Sequence, residues 1–434
     1  MRYFLRHLLR DRSGQGLIEI MIGLAIGAIL IGTASFGVAF ILRSSSTNQN
    51  LGVASETTQG LLEKVRSFSN ANWQNVYGLQ KSSSTQYFLV ASGTSLFAVQ
   101  GKEGIFDNDV TNGLIGEWGF DEDVNSTSTT TYDVSGNGNN GTFMSGPTRA
   151  SSTCMAANCL VLNGAGAYVN VPSASAINFT SNGTFSISVW VNPNTFSTTW
   201  RRGIMRQENY TVSGYRFGFD ATGKPLFWTS QSGGTLNLTG ATQLLTLNKW
   251  NFLVVTYNNQ QASMYLNGAI IASSTGTYVA GSNALQIGMN VNSEPFSGLL
   301  DDVRVYNRAL SASEVSQVYK AGIFDRYFYI ENVCRSNDAS STITGVSSCG
   351  GGSTDDPLTQ KATAVSEWVS NGKTAQFSLA AYLTRWKNFL LRQTDWSGGA
   401  GVSGPITVPD NSYDSGTNVT TTPLGSFQIQ NLSQ

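Results

Sequence analysis

The chain has 434 residues, a formal net charge of −1 and only 12% charged side chains. That length allows two or more domains, and the absence of a basic excess sets aside nucleic-acid binding as a primary role. Its single histidine is His7, so the rest of the chain offers no histidine for serine or cysteine catalysis or for metal ligation.

The first element is an apolar run. From Leu17 to Leu42 the only charged residue is Glu19, and Arg2, Arg6, Arg10 and Arg12 precede it. As a helix this run spans roughly 39 Å at 1.5 Å per residue, longer than the ~30 Å hydrocarbon core of a bilayer. It can therefore cross a membrane with tilt, its basic flank held in the cytoplasm and everything after Arg43 exported. A secretory signal peptide would have a shorter core followed by a small-residue cleavage site. A plain membrane anchor leaves Glu19 unexplained, because a carboxylate near the start of a membrane helix is costly and usually has a function or a partner.

The stretch Arg12-Ser13-Gly14-Gln15-Gly16-Leu17-Ile18-Glu19, with its basic flank and apolar helix, resembles the class III signal of type IV pilins and pseudopilins. The resemblance implies cleavage by a prepilin peptidase after Gly14 and methylation of the new N-terminus at Gln15. It also implies that Glu19 pairs with the α-amino group of a neighbouring pilin subunit during assembly. Two departures stand out: the family often has Phe or Met where Gln15 stands, and its mid-helix proline is missing. Gly23, Gly27, Gly32 and Gly37 are left as the residues that could loosen or closely pack the helix.

Beyond the membrane run, Leu61, Leu62, Val65 and Phe68 recur at helical spacing, predicting that the helix continues and buries a stripe on a globular head, ending near Trp73 and Val76. Gln86–Ala91 and Ser95–Gln100, joined by Ser92-Gly93-Thr94, read as a β-hairpin. A strand at Arg326–Val333 and a second hairpin turning at Asn371-Gly372 follow only after a long interval. The chain thus divides into a leader (1–14), a pilin helix (15–79, membrane part 17–42), two portions of a pilin-like head (80–113 and 323–395), an insertion (114–322) and an irregular tail (396–434).

Within the insertion, alternating apolar strands with Gly/Asn turns argue for an antiparallel sandwich. Its ordered segments include Gly116-Glu117-Trp118-Gly119-Phe120-Asp121, Val161-Leu162-Asn163-Gly164, Phe185–Val191, Trp250–Tyr257, Met264-Tyr265-Leu266-Asn267-Gly268 and Phe296–Leu310. This set is similar to LamG-like, concanavalin A-like jelly rolls. In such folds the first and last strands lie together, which suits insertion into a host loop. Ser311-Ala312-Ser313-Glu314 has the form of a capping box opening a short closing helix.

Four cysteines remain, and local pairing, Cys154 with Cys159 and Cys334 with Cys349, is expected in an oxidising compartment. A four-cysteine zinc site is the rival reading, although neither spacing is that of a C-x-x-C knuckle. The fold resemblance brings glycosidases into view, but these need two facing carboxylates. Glu208 and Glu294 are isolated, and no strand carries closely alternating acids, so no catalytic residue is assigned and the chain is read as a non-enzyme.

Asp121, Asp133, Asp301 and Asp302 are the acids most suited to meet around a structural Ca²⁺. Against this, Asp133 sits in a Gly/Asn-rich stretch where it could simply shape a turn. Trp200, Arg206, Tyr210 and Trp228 are candidates for a ligand site, since aromatic faces stack on sugars and arginine bonds their hydroxyls or carboxylates.

The expected fold is mainly β: a LamG-like antiparallel jelly-roll sandwich inserted in an α+β pilin-like head on a long N-terminal transmembrane α-helix. The expected role is a filament or envelope subunit that displays the jelly roll for adhesion to a surface, glycan or protein. The alternative is a pseudopilin of a secretion or DNA-uptake machine whose jelly roll engages cargo. Its location would be the cytoplasmic membrane as precursor, then the cell surface or pilus.

Overall fold

The computed structural model describes residues 15–107, 110–174, 177–196, 201–209, 213–229, 236–240, 242, 244–290, 294–336, 342–347, 349–350, 353–370, 372–385, 419–420 and 428–429. The side chains of most of residues 15–47, and of 201–202, 208–209, 289–290 and 294, are outside that description. The leader with Gly14, the turn residue Asn371 and nearly all of the tail therefore lie outside the described residues. So do the side chains of Gln15, Glu19, Glu208 and Glu294.

One helix runs from Gln15 to Ala71. The chain separates into two units, residues 1–53 and 54–434. In the first, the described apolar side chains Met21, Leu24 and Ile31 are exposed. Among the described residues no helix is long and apolar enough to cross a membrane; most side chains of the expected membrane run, 17–42, are outside the description.

The second unit is built on three antiparallel sheets. The first has the order Ser95–Gln100, Tyr87–Ser92, Ile323–Arg335, Thr354–Ser370, Lys373–Thr384. Its first hairpin closes from Tyr87 opposite Gln100 to Ser92 opposite Ser95, and Gly93 takes the positive φ that the tight turn needs. Leu61, Leu62, Val65 and Phe68 bury their stripe on one face of this sheet, against Leu89, Phe328, Ile330 and Ala364. Trp73 and Val76 close the same core, with the Trp73 indole donating to Pro357 O at 3.1 Å. The four apolar residues at helical spacing thus share one buried face.

The opposite face of the first sheet is covered as well. Phe88, Val90 and Val99 are buried against Tyr132 and Val134 of the sandwich segment. The strand Glu103–Phe106 leads into that segment and pairs with the strand that leaves it, Ile323 standing opposite Phe106. At the junction Asp107 N donates to Gly322 O at 2.8 Å, and Gly322 N donates back to the Asp107 carboxylate. Entry and exit thus lie side by side.

Between them, two eight-stranded sheets face each other. The second sheet is centred on Asn251–Asn258, Phe185–Pro193 and Ser297–Tyr306, and Leu114–Trp118 joins its last strand. The third runs from Asn237–Thr239 through Pro225–Thr229, Ser213–Asp220, Arg201–Asn209 and Leu285–Ile287 to Tyr168–Val171 and Gly141–Met144, ending at Thr130–Thr131. Alternate residues of both sheets (Phe185, Ile187, Val189, Phe217, Phe227, Leu253, Val303 among them) fill one core, as period-two patterning requires. The outer face of the second sheet is covered in its turn. Trp190, Phe252, Val254 and Tyr306 pack under Val315 and Val318 of the helix Ala312–Lys320 and against Phe106. That helix opens with the expected capping box between Ser311 and Glu314. Both local disulfides are present.

Candidate functional site

The outer face of the third sheet carries a cross-strand row. Pairing sets Arg206 opposite Arg216, Arg216 opposite Trp228 and Trp228 opposite Asn237. In the other direction Arg206 stands opposite Gln286, and Gln286 opposite Asn170. The neighbours of these residues along each strand, such as Met205, Phe217, Phe227, Leu238, Ile287 and Val169, point into the core. Because side chains alternate along a strand, the row points away from it. Arg206 Nε donates to Gln286 Oε1 at 2.6 Å, and the Arg216 guanidinium lies 5.7 Å from the centre of the Trp228 ring. The arginines and the indole are thereby fixed in place, with Arg216 and Trp228 mostly buried and Arg206 and Asn170 partly accessible.

Arg206 and Trp228 thus share one face, each on a strand. The register of three neighbouring strands, a long-range property, brings them together. Trp200 and Tyr210 lie outside the described residues. Arg216 was not among the sequence candidates. The run Tyr215-Arg216-Phe217-Gly218-Phe219 does contain its signal, an arginine at the outward position of an otherwise aromatic alternation. Tyr215, flanking it, is buried in the core.

The four candidate calcium ligands take separate roles. Asp133 is buried and accepts from three backbone amides, Glu117 (2.9 Å), Ser135 (3.0 Å) and Asn139 (2.8 Å). It shapes the Gly/Asn turn. Asp302 accepts from Arg304 Nε at 2.7 Å, and Arg304 Nη2 reaches Glu117 at 3.0 Å. Asp301 accepts from Met155 N (2.9 Å) and Ala156 N (3.2 Å). Asp121 accepts from Gly104 N (2.7 Å) and Asn158 N (3.1 Å). The described residues gather no three His, Cys, Asp or Glu side chains positioned to hold a metal ion. With their oxygens turned to amides and to Arg304, the four aspartates do not fit an all-carboxylate Ca²⁺ cage.

Burial raises the carboxyls of Asp121 and Asp301 well above the ordinary aspartate range, with the charge of Asp301 adding to the first and that of Asp302 to the second. Burial also raises Asp325. Charged groups around them are Asp302, Arg304, Glu117, Glu122 with Arg149, and Lys102 with Glu367. A carboxyl whose folded pKa is raised binds more protons folded than unfolded. Its contribution to stability is complete below the ordinary pKa and is lost as pH rises through the folded value. The urea midpoint of this unit should therefore fall as pH rises above the ordinary aspartate range, and Asp301→Asn should flatten that slope. Carboxylates with lowered values, such as Glu314 at about 2, are ionised throughout this window and leave the slope unchanged.

Residues 9–35 match the prokaryotic N-terminal methylation motif. Residues 163–316 match the concanavalin A-like lectin/glucanases superfamily. The chain thus joins a class III signal to a concanavalin A-like domain. No curated protein matches it.

Among solved structures it is similar to domain 4 of AbnA, an extracellular arabinanase from Geobacillus stearothermophilus, solved with arabinotriose. The two are 22% identical over 48% of this chain and 98% of that one, with a TM-score of 0.39. The binding domain of Paraclostridial Mosquitocidal Protein 1 gives 15% identity over 63% and 76%, with a TM-score of 0.39. Trypanosoma rangeli sialidase gives 16% over 48% of this chain and 32% of the enzyme, with a TM-score of 0.36. At this overlap none of the three transfers a function.

Proposed function

We propose that the chain is a type IV pilin-like subunit that displays its sandwich as an adhesin for glycan surfaces, with acidic sugars favoured. The observation that carries the reading is the union of a prepilin-type N-terminus with a concanavalin A-like domain in one chain. In this reading a prepilin peptidase cuts after Gly14, the helix packs among other pilin subunits and Glu19 directs that packing. The row of Arg206, Arg216, Trp228, Asn170 and Gln286 suits a sugar chain. The partly accessible amides of Asn170 and Gln286 bond hydroxyls and Arg206 favours a carboxylate or sulfate, while the mostly buried Arg216 and Trp228 back the row.

A pair of variants tests the two halves separately. Glu19→Ala is expected to insert in the membrane, since losing a charge favours burial, and to fail to assemble. Arg206→Ala is expected to assemble normally and to bind immobilised polygalacturonate at least tenfold more weakly, with neutral dextran unbound by either protein. Assembly of Glu19→Ala at the ordinary level would remove the pilin half of the proposal. Undiminished polygalacturonate binding by Arg206→Ala would remove the glycan half.

A further inference from the structure

The short loop closed by Cys154 and Cys159 lies against both parts of the second unit. It joins the strands Thr148–Ala150 and Cys159–Asn163 at the edge of the second sheet. Four consecutive backbone amides of the loop each donate to an aspartate. Met155 N and Ala156 N donate to Asp301, on the sandwich strand Ser297–Tyr306. Ala157 N donates at 2.9 Å to Asp325, on the first-sheet strand Ile323–Arg335. Asn158 N donates to Asp121, whose other oxygen accepts from Gly104 N on the strand leading into the sandwich. The Asn158 side chain adds bonds to Asp121 O and Glu122 O, and the Trp250 indole donates to Thr153 O at 2.7 Å.

Presenting successive amides to three carboxylates on different elements asks for an unusual backbone. Thr153 and Ala157 both hold positive φ, at 65° and 37°, a conformation that strains non-glycine residues. A five-residue separation between the bridged cysteines restricts the loop's alternatives. The fit on the first-sheet side is close. A Cβ added at Gly104 would stand 2.5 Å from Ala156 Cβ.

We infer that the Cys154–Cys159 loop is a latch that couples the sandwich to the first sheet, making the two unfold as one. With the disulfide absent the strained loop relaxes, its amides turn from Asp301, Asp325 and Asp121, and the two parts separate thermally while each keeps its strands. The inference is independent of what the sandwich binds.

Amide hydrogen exchange and calorimetry on the detergent-solubilised full chain test it. The wild type is expected to melt in one step and to protect amides 155–158 and Gly104. Cys154→Ser/Cys159→Ser is expected to speed exchange at those amides at least tenfold and to split the melt in two. Strands Phe185–Pro193 and Thr354–Ser370 should stay protected. Should that double variant not fold, Gly104→Ala wedges the loop away with the disulfide intact and is expected to give the same split. Asp325→Ala is expected to release Ala157 alone. A single melting step with protected loop amides in the disulfide-free protein, or in Gly104→Ala, would overturn the latch.

Discussion

Replacing Arg304 by methionine is expected to cost the second unit about 3–5 kcal/mol, the range for removing one partner of a buried ion pair. Arg304 is completely buried, bonded to Asp302 at 2.7 Å and Glu117 at 3.0 Å, with its guanidinium 4.9 Å from the centre of the Phe106 ring. Methionine fills much of the volume but leaves two carboxylates facing each other with no cation between them. Lysine should recover little, because one ammonium cannot reproduce a planar fork that serves two acids. Arg308→Met is the control. Its pair with Glu314 is partly solvated and should be worth about 0–1 kcal/mol. Urea denaturation of the three variants reads the difference. An Arg304→Met loss within 1 kcal/mol of the Arg308→Met loss would mean that the network does not hold this face.

Excising residues 108–321 and joining Asp107 to Gly322 through a two-residue turn is expected to keep the first sheet's pairing, because those ends already exchange hydrogen bonds. The shortened protein is nevertheless expected to aggregate. Removing Tyr132 and Val134 bares Phe88, Val90 and Val99, which are 1%, 1% and 8% exposed in the intact chain. Uncovering each costs about 1.5–3 kcal/mol. Phe88→Thr with Val90→Thr in the excised protein should restore a monodisperse body whose helix still packs on the other face. Light scattering distinguishes the cases. A soluble, fully stable excised protein without those changes would show that the sandwich does not cover the sheet in solution.

Several local elements were legible in the sequence because their signals are local: turns at Ser92-Gly93-Thr94 and Gly372, a capping box at Ser311–Glu314, and cysteines five and fifteen residues apart. The cover on the first sheet's second face was missed although a trace of it was present. Tyr87-Phe88-Leu89-Val90 is apolar at every position, the mark of a strand buried on both faces, whereas a hairpin with one wet face would alternate. The site row and the latch were beyond local reading. Arg206, Arg216, Trp228 and Gln286 meet only through strand register. Asp121, Asp301 and Asp325 meet around residues 155–158 only once the sandwich is closed and docked. Asp121, Asp133, Asp301 and Asp302 accept from amides and an arginine, which spacing along the chain cannot reveal.

The side-by-side ends at Asp107 and Gly322 also set how the protein would answer a pull. Glu103–Phe106 and Ile323–Arg326 run antiparallel and deliver both connections at the same end of the pair. Tension on the sandwich would therefore load the Asp107–Gly322 bonds first and open the ladder one rung after another. Strands loaded from opposite ends resist in shear, with all their rungs sharing the strain. Here the rungs would fail in sequence. Resistance to detachment would then rest on contacts away from the paired ends: the Ala157 amide on Asp325, the Gly104 amide on Asp121, and Tyr132 and Val134 on Phe88 and Val90.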